Sequence, residues 1–153
     1  MRPITFSTQL SAPTASDSRA IDIVIPFSSG PLADAALAAA RRLTADLTPS
    51  LRLVQVLLVP YPLALHEGPV SAATRTRQLM PLAKQFGAHV QLCYSRDLRE
   101  GLLHLLKRDS VVLIAAPRHW WNVFWPSPEQ RLSTWLNRLG FLVLVDFVEA
   151  NRA

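Results

Sequence analysis

A single cysteine, Cys93, stands in 153 residues, so no internal disulfide can form. It alternates with Val90, Leu92 and Tyr94 in a strand-like run, where a quiet reduced thiol is expected. Lysine is nearly absent: of 16 cationic side chains 14 are arginine. They are scattered rather than blocked, so the net charge of +5 reads first as a solvated arginine-rich surface, with nucleic acid, anionic lipid or an acidic partner as the alternatives and no strong nucleic-acid signal. The four histidines, His66, His89, His104 and His119, lie far apart and lack metal-ligand spacing, so no metal site is expected. No apolar run approaches the roughly 18 residues a membrane span needs. The first twenty residues lack the apolar segment of a signal peptide, and the expected location is cytoplasmic. Glycine is scarce too, at five residues, and none falls between Ala115 and Glu129.

What is present is an alternation of two patterns. Residues 1–20 are rich in Ser, Thr, Ala and Pro and read as a flexible tail, with at most a short strand near Ile4. Short apolar runs at 21–27, 51–60, 88–95, 110–116 and 141–147 read as five strands. The alternation at 88–95 suggests a strand with one wetter face, at an edge. Between the strands lie four helical stretches. The first opens at Ser29-Gly30-Pro31 and carries the stripe Leu32, Ala36, Ala40, Leu43, Leu47 before Pro49. Ser71 caps the second, which Gly87 closes and in which Pro81 predicts a kink or a later start. Asp97 with Glu100 has capping-box spacing at the third, and Ser127-Pro128-Glu129-Gln130 opens the fourth. Strands alternating with helices predict an α/β fold, a parallel sheet covered on both faces. A single domain spans 21–148, followed by a short tail at 149–153.

In such sheets ligands bind beyond the carboxyl ends of strands, where the strand order reverses. The loop after the fourth strand is therefore the expected site. It holds Arg118, His119, Trp120, Trp121, Phe124 and Trp125. The indoles either fold back and fill the cleft or form an exposed patch for a partner, since tryptophan is enriched at interface hot spots. No serine, cysteine or carboxylate at defined spacing completes a catalytic set with His119, so the chain is not expected to be an enzyme.

In element order, lengths and apolar pattern, residues 21–147 resemble the universal stress protein family, whose adenine-nucleotide-binding fold implies a three-layer sandwich. The resemblance implies five parallel strands in the order 3-2-1-4-5, with the cleft between the ends of the first and fourth. It also implies a stress-response or regulatory role, and a homodimer formed through the last strand, here Phe141, Val143 and Val145. Similar domains occur as cytoplasmic parts of transporters, so a membrane transporter or another protein is the implied partner. The nucleotide motifs, however, are missing. Nucleotide-binding members end the first strand in an Asp-Gly-Ser-like turn; here Pro26, Phe27 and Ser28 stand there. After the fourth strand they carry a Gly-x-x-Gly turn and then Gly-Ser or Gly-Thr; here the positions read Ala116-Pro117-Arg118-His119 and Glu129-Gln130. Glycines let backbone N–H groups turn toward phosphate, whereas Pro117 and Pro128 have no N–H to give. ATP is not expected as a cofactor. The alternative is a small-ligand or nucleotide sensor with a differently built anion site from Ser28, Ser29, Arg118, His119 and Ser127.

Overall fold

The computed structural model describes residues 3–8, 20–68, 71–119 and 124–149. It contains the strands β1 (Ile4–Thr8), β2 (Asp22–Pro26), β3 (Ser50–Leu58), β4 (His89–Ser95), β5 (Val111–Arg118) and β6 (Leu142–Glu149). The helices are α1 (Gly30–Leu43), α2 (Ala72–Phe86), α3 (Leu98–Leu105) and α4 (Pro128–Arg138), and a short 3-10 turn spans Leu65–Glu67. Together they form one sheet in the order β1-β4-β3-β2-β5-β6, parallel except for β1.

The expectation of five strands is thus corrected to six. The added strand comes from the stretch read as a flexible tail, and it pairs antiparallel with β4, with Ile4 opposite Tyr94 and Thr8 opposite Val90. Low apolar content argued against order there; the backbone ladder supplies what side-chain burial does not. The same pairing corrects the reading of 88–95 as an edge strand, because β4 has β1 on one side and β3 on the other. The last strand also runs on to Glu149, one residue past the expected domain end.

Helices cover both faces. On one, the alanine-rich side of α1 (Ala33, Ala36, Ala39, Ala40, with Leu37) and Leu79 and Ala83 of α2 pack on Ile23, Ile25, Leu53 and Leu113. Small side chains let α1 lie close against the strands. On the other, Leu102 and Leu105 of α3 and Leu136 of α4 pack on Val24, Val54, Val112 and Ile114. Alternate residues of each strand feed alternate faces, which is why the central strands read as unbroken apolar runs.

Caps fix the helix starts. The side chains of Ser29, Ser71, Asp97 and Ser127 each accept an N–H from the first turn that follows. The box at α4 is complete: Ser127 Oγ accepts from Gln130 N, and Gln130 Oε1 accepts from Ser127 N. Two details differ from the sequence reading. α1 ends at Leu43, with Thr44 as its cap, so Leu43 and Leu47 are exposed rather than part of the inner stripe. α2 runs unbroken through Pro81 from the Ser71 cap. Pro81 and Arg77, whose carbonyl loses its i+4 donor, both lie on the solvent side, where water can replace the lost bond. Among the described residues no helix is long and apolar enough to cross a membrane.

At the amino ends of the strands a polar clasp replaces apolar packing. Arg52 on β3 holds Asp22 on β2 in a two-pronged pair, Nε to Oδ1 at 2.8 Å and Nη2 to Oδ2 at 2.6 Å. Its Nη1 donates to Gln91 Oε1 on β4 and to the Leu105 carbonyl at the end of α3. Ser110 Oγ donates to Asp22 Oδ2 and accepts from Lys107 N. Arg52 and Asp22 side chains are each 11% exposed, so this arginine belongs to the interior and not to the solvated surface expected of the whole set. Burial by itself raises the Asp22 carboxyl. Hydrogen bonds from Arg52 and Ser110, with the charges of Arg52 and Lys107, outweigh it and hold the group below its ordinary range.

Candidate functional site

The strand order reverses between β2 and β5, and a cavity of about 250 Å³ opens there, beside the carboxyl end of β2 and between α3 and α4. The end of β2 and the turn after it contribute Pro26, Phe27 and Ser28, and β3 contributes Val54, Gln55 and Val56. Ile114 comes from β5, Leu98 and Leu102 from α3, and Pro128, Glu129 and Leu132 from α4. The lining is thus mostly aliphatic or proline. Among the described residues Ser28, Gln55 and Glu129 are its polar members, and Glu129 is its one ionisable side chain.

This chemistry does not suit phosphate. Among the described residues no arginine, lysine or histidine lines the cavity. Pro26 and Pro128 bring no N–H where a nucleotide site needs donors. Glu129, in the first turn of α4, sets a negative charge beside the helix end where an anion would otherwise bind.

Of the five residues expected to form an anion site, only Ser28 lines the cavity. Ser29 and Ser127 spend their hydroxyls as helix caps, accepting from Leu32 N and Gln130 N. Arg118 ends β5 as an exposed residue, and His119, just beyond it, is half-buried.

The aromatic loop is described in part, since Trp120 and Trp121 lie outside the described residues. Phe124 is 74% exposed and Trp125 73% exposed, and neither lines the cavity. At these two positions the loop turns outward instead of refilling the cleft. α4 carries the fourth indole, Trp135, half-buried, with the Arg99 guanidinium of α3 5.1 Å from its ring centre.

At the sheet's outer edge β6 pairs with β5. Phe141, just before the strand, and Val143 pack on the α3–α4 side of the core, and Val145 is half-buried. The exposed apolar side chains of the strand are Leu142, Leu144 and Phe147. Asp146 pairs loosely with Arg42 of α1, 3.6 Å away.

Two features escaped the sequence. The cavity walls Leu98, Leu102 and Leu132 carry only the ordinary signal of an inner helix stripe. The partners of Arg52 lie 30 to 58 residues away along the chain, with no local sign of the clasp. A third arginine role was equally silent: Arg96 donates to the carbonyls of Val59, Pro60 and Leu63 and stacks on Tyr61, tying down the loop after β3. Cys93 is fully buried on the sheet, and burial pushes its thiol up to about 11, which leaves it unreactive at neutral pH. Among the described residues no three His, Cys, Asp or Glu side chains gather where a metal ion could be held. No family model matches the chain, and no curated protein matches it.

Proposed function

We propose that the chain is a non-catalytic regulatory module, similar to universal stress proteins, that works by docking through the loop after β5. The observation that supports this is the outward position of Phe124 and Trp125 at the end of the sheet where α/β folds place their sites. Two large aromatic rings held in water are costly unless a partner covers them, and tryptophan is the residue most often found at the energetic centre of protein interfaces. The partner class is a protein, and by resemblance the cytoplasmic face of a membrane transporter fits it. Affinity capture from the native host, with wild type beside Phe124→Ser/Trp125→Ser, tests the reading. The variant is expected to lose its specific partners, with affinity weakened about thirtyfold for a central tryptophan. Identical captured sets overturn it.

We further infer a homodimer through β6. An edge strand with exposed Leu142, Leu144 and Phe147 offers both a free backbone ladder and apolar cover for a twin. Sedimentation is expected to show a dimer that Leu144→Lys turns into a monomer, because across a two-fold axis each new cation meets its copy. A wild type that stays monomeric at high micromolar concentration rules the pairing out.

A further inference from the structure

We propose that the cavity between α3 and α4 binds a small apolar molecule carrying one cationic group, such as an aryl or alkyl amine. Phe124 and Trp125, the described aromatic residues of the docking loop, do not line it. Its volume of about 250 Å³ equals the liquid volume of roughly eight waters, enough for one ring with a short chain. Val56, Leu98, Leu102, Ile114 and Leu132 offer such a ring dispersion contacts and no competing polar groups. An apolar lining with a few placed polar groups is the usual make-up of a small-molecule site.

The charge preference follows from Glu129. Among the described residues it is the one ionisable side chain of the lining, it is half-buried, and it has no ion-pair partner. An anion among aliphatic walls attracts an ammonium group brought into the cavity. The same carboxylate excludes carboxylate and phosphate ligands. Ser28, the one hydroxyl of the lining among the described residues, can accept a hydrogen bond from an N–H placed in the cavity. The ligand class is therefore set by what the walls hold, one anion among aliphatic groups, and by what they lack, any cation.

Phenethylamine, phenethyl alcohol and phenylacetate share a ring and differ in charge, so they separate the contributions. Each is titrated into the full chain while the methyl resonances of Val56, Leu102, Ile114 and Leu132 are followed by NMR. The amine is expected to shift these methyls in a saturable way, with affinity about tenfold above that of the alcohol, and phenylacetate to leave them unmoved. In Glu129→Gln the amine falls to the affinity of the alcohol, while the alcohol is unchanged. In Leu132→Trp, which fills the cavity, both ligands lose their shifts, and the far-ultraviolet spectrum reports that the fold is intact. Absence of methyl shifts with all three compounds at millimolar concentration overturns the site. Equal affinity for amine and alcohol, or an amine affinity that Glu129→Gln leaves unchanged, overturns the charge preference. None of these outcomes depends on the aromatic loop, so the docking reading stands or falls separately.

Discussion

Arg52→Met is expected to destabilise the fold by about 3–5 kcal/mol, the range for removing one partner of a buried ion pair. The total stability of a single domain is only about 5–15 kcal/mol, so the loss is a large share of it. The cause is the group left behind. Asp22 keeps its buried position and the Ser110 hydroxyl, but it loses both guanidinium prongs, while Gln91 and the Leu105 carbonyl lose a donor. Urea unfolding of wild type and variant measures the difference, and a loss under 1 kcal/mol contradicts the account. The pH dependence gives an independent check. In the wild type the folded Asp22 carboxyl titrates below its ordinary range. Its contribution is therefore full above about pH 4, the unfolded value, and is lost as pH falls through the folded one. In Arg52→Met the burial that raises the group is no longer opposed by the guanidinium, so the folded carboxyl takes up a proton at a higher pH than in the wild type. The stability gap between variant and wild type is expected to narrow as pH is lowered toward 3, and a gap that widens refutes the assignment.

Gly101→Ala is the second large effect, expected to cost about 1–3 kcal/mol in the same urea assay. Alanine is ordinarily better than glycine inside a helix by about 1 kcal/mol, so the expected sign runs against helix propensity. Packing decides it. A methyl group at Gly101 would sit 2.6 Å from Val56 Cγ1 and 2.9 Å from Ser95 Cβ. Neither atom is the end of a flexible side chain, so α3 must move off β3 and β4. Val56 also lines the cavity, and the shift disturbs that wall. Val56→Ala in the same chain removes the nearest obstacle, and the double variant is expected to recover part of the loss, with a coupling of about 1 kcal/mol. An alanine variant as stable as wild type shows that α3 has slack there.

Much of the fold was legible because it is encoded locally. Ser29, Ser71, Asp97 and Ser127 announce helix starts by their own chemistry, and Gly87 announces an end through its left-handed backbone, φ 68°. The runs in β2, β3 and β5 are apolar on both sides because both sides are covered, so the α/β class follows from the pattern itself. β1 was illegible as a sheet member because its place depends on a backbone ladder with β4, and ladders leave little trace in side chains. The site was legible only in position. That Arg118 ends exposed, that Ser29 and Ser127 are consumed as caps, and that α3 and α4 leave a gap above Val54 and Val56 are outcomes of packing between distant segments. The missing glycines excluded a phosphate cradle from the outset. Nothing local stated what would stand in its place.

The placement of β1 bears on the order in which the chain assembles. Ile4–Thr8 is made long before its register partners, Val90–Tyr94. Until that segment has been made, and has itself joined β3, the first strand has nothing to pair with. Closing so long a loop costs more entropy than closing a short one, and pairings distant in sequence form slowly. The parallel part of the sheet therefore condenses first, and β1 is the last to be seated. In the interval the outer rim of β4 is an open ladder, and the amino-terminal strand is the piece that closes it against unwanted pairing with other chains.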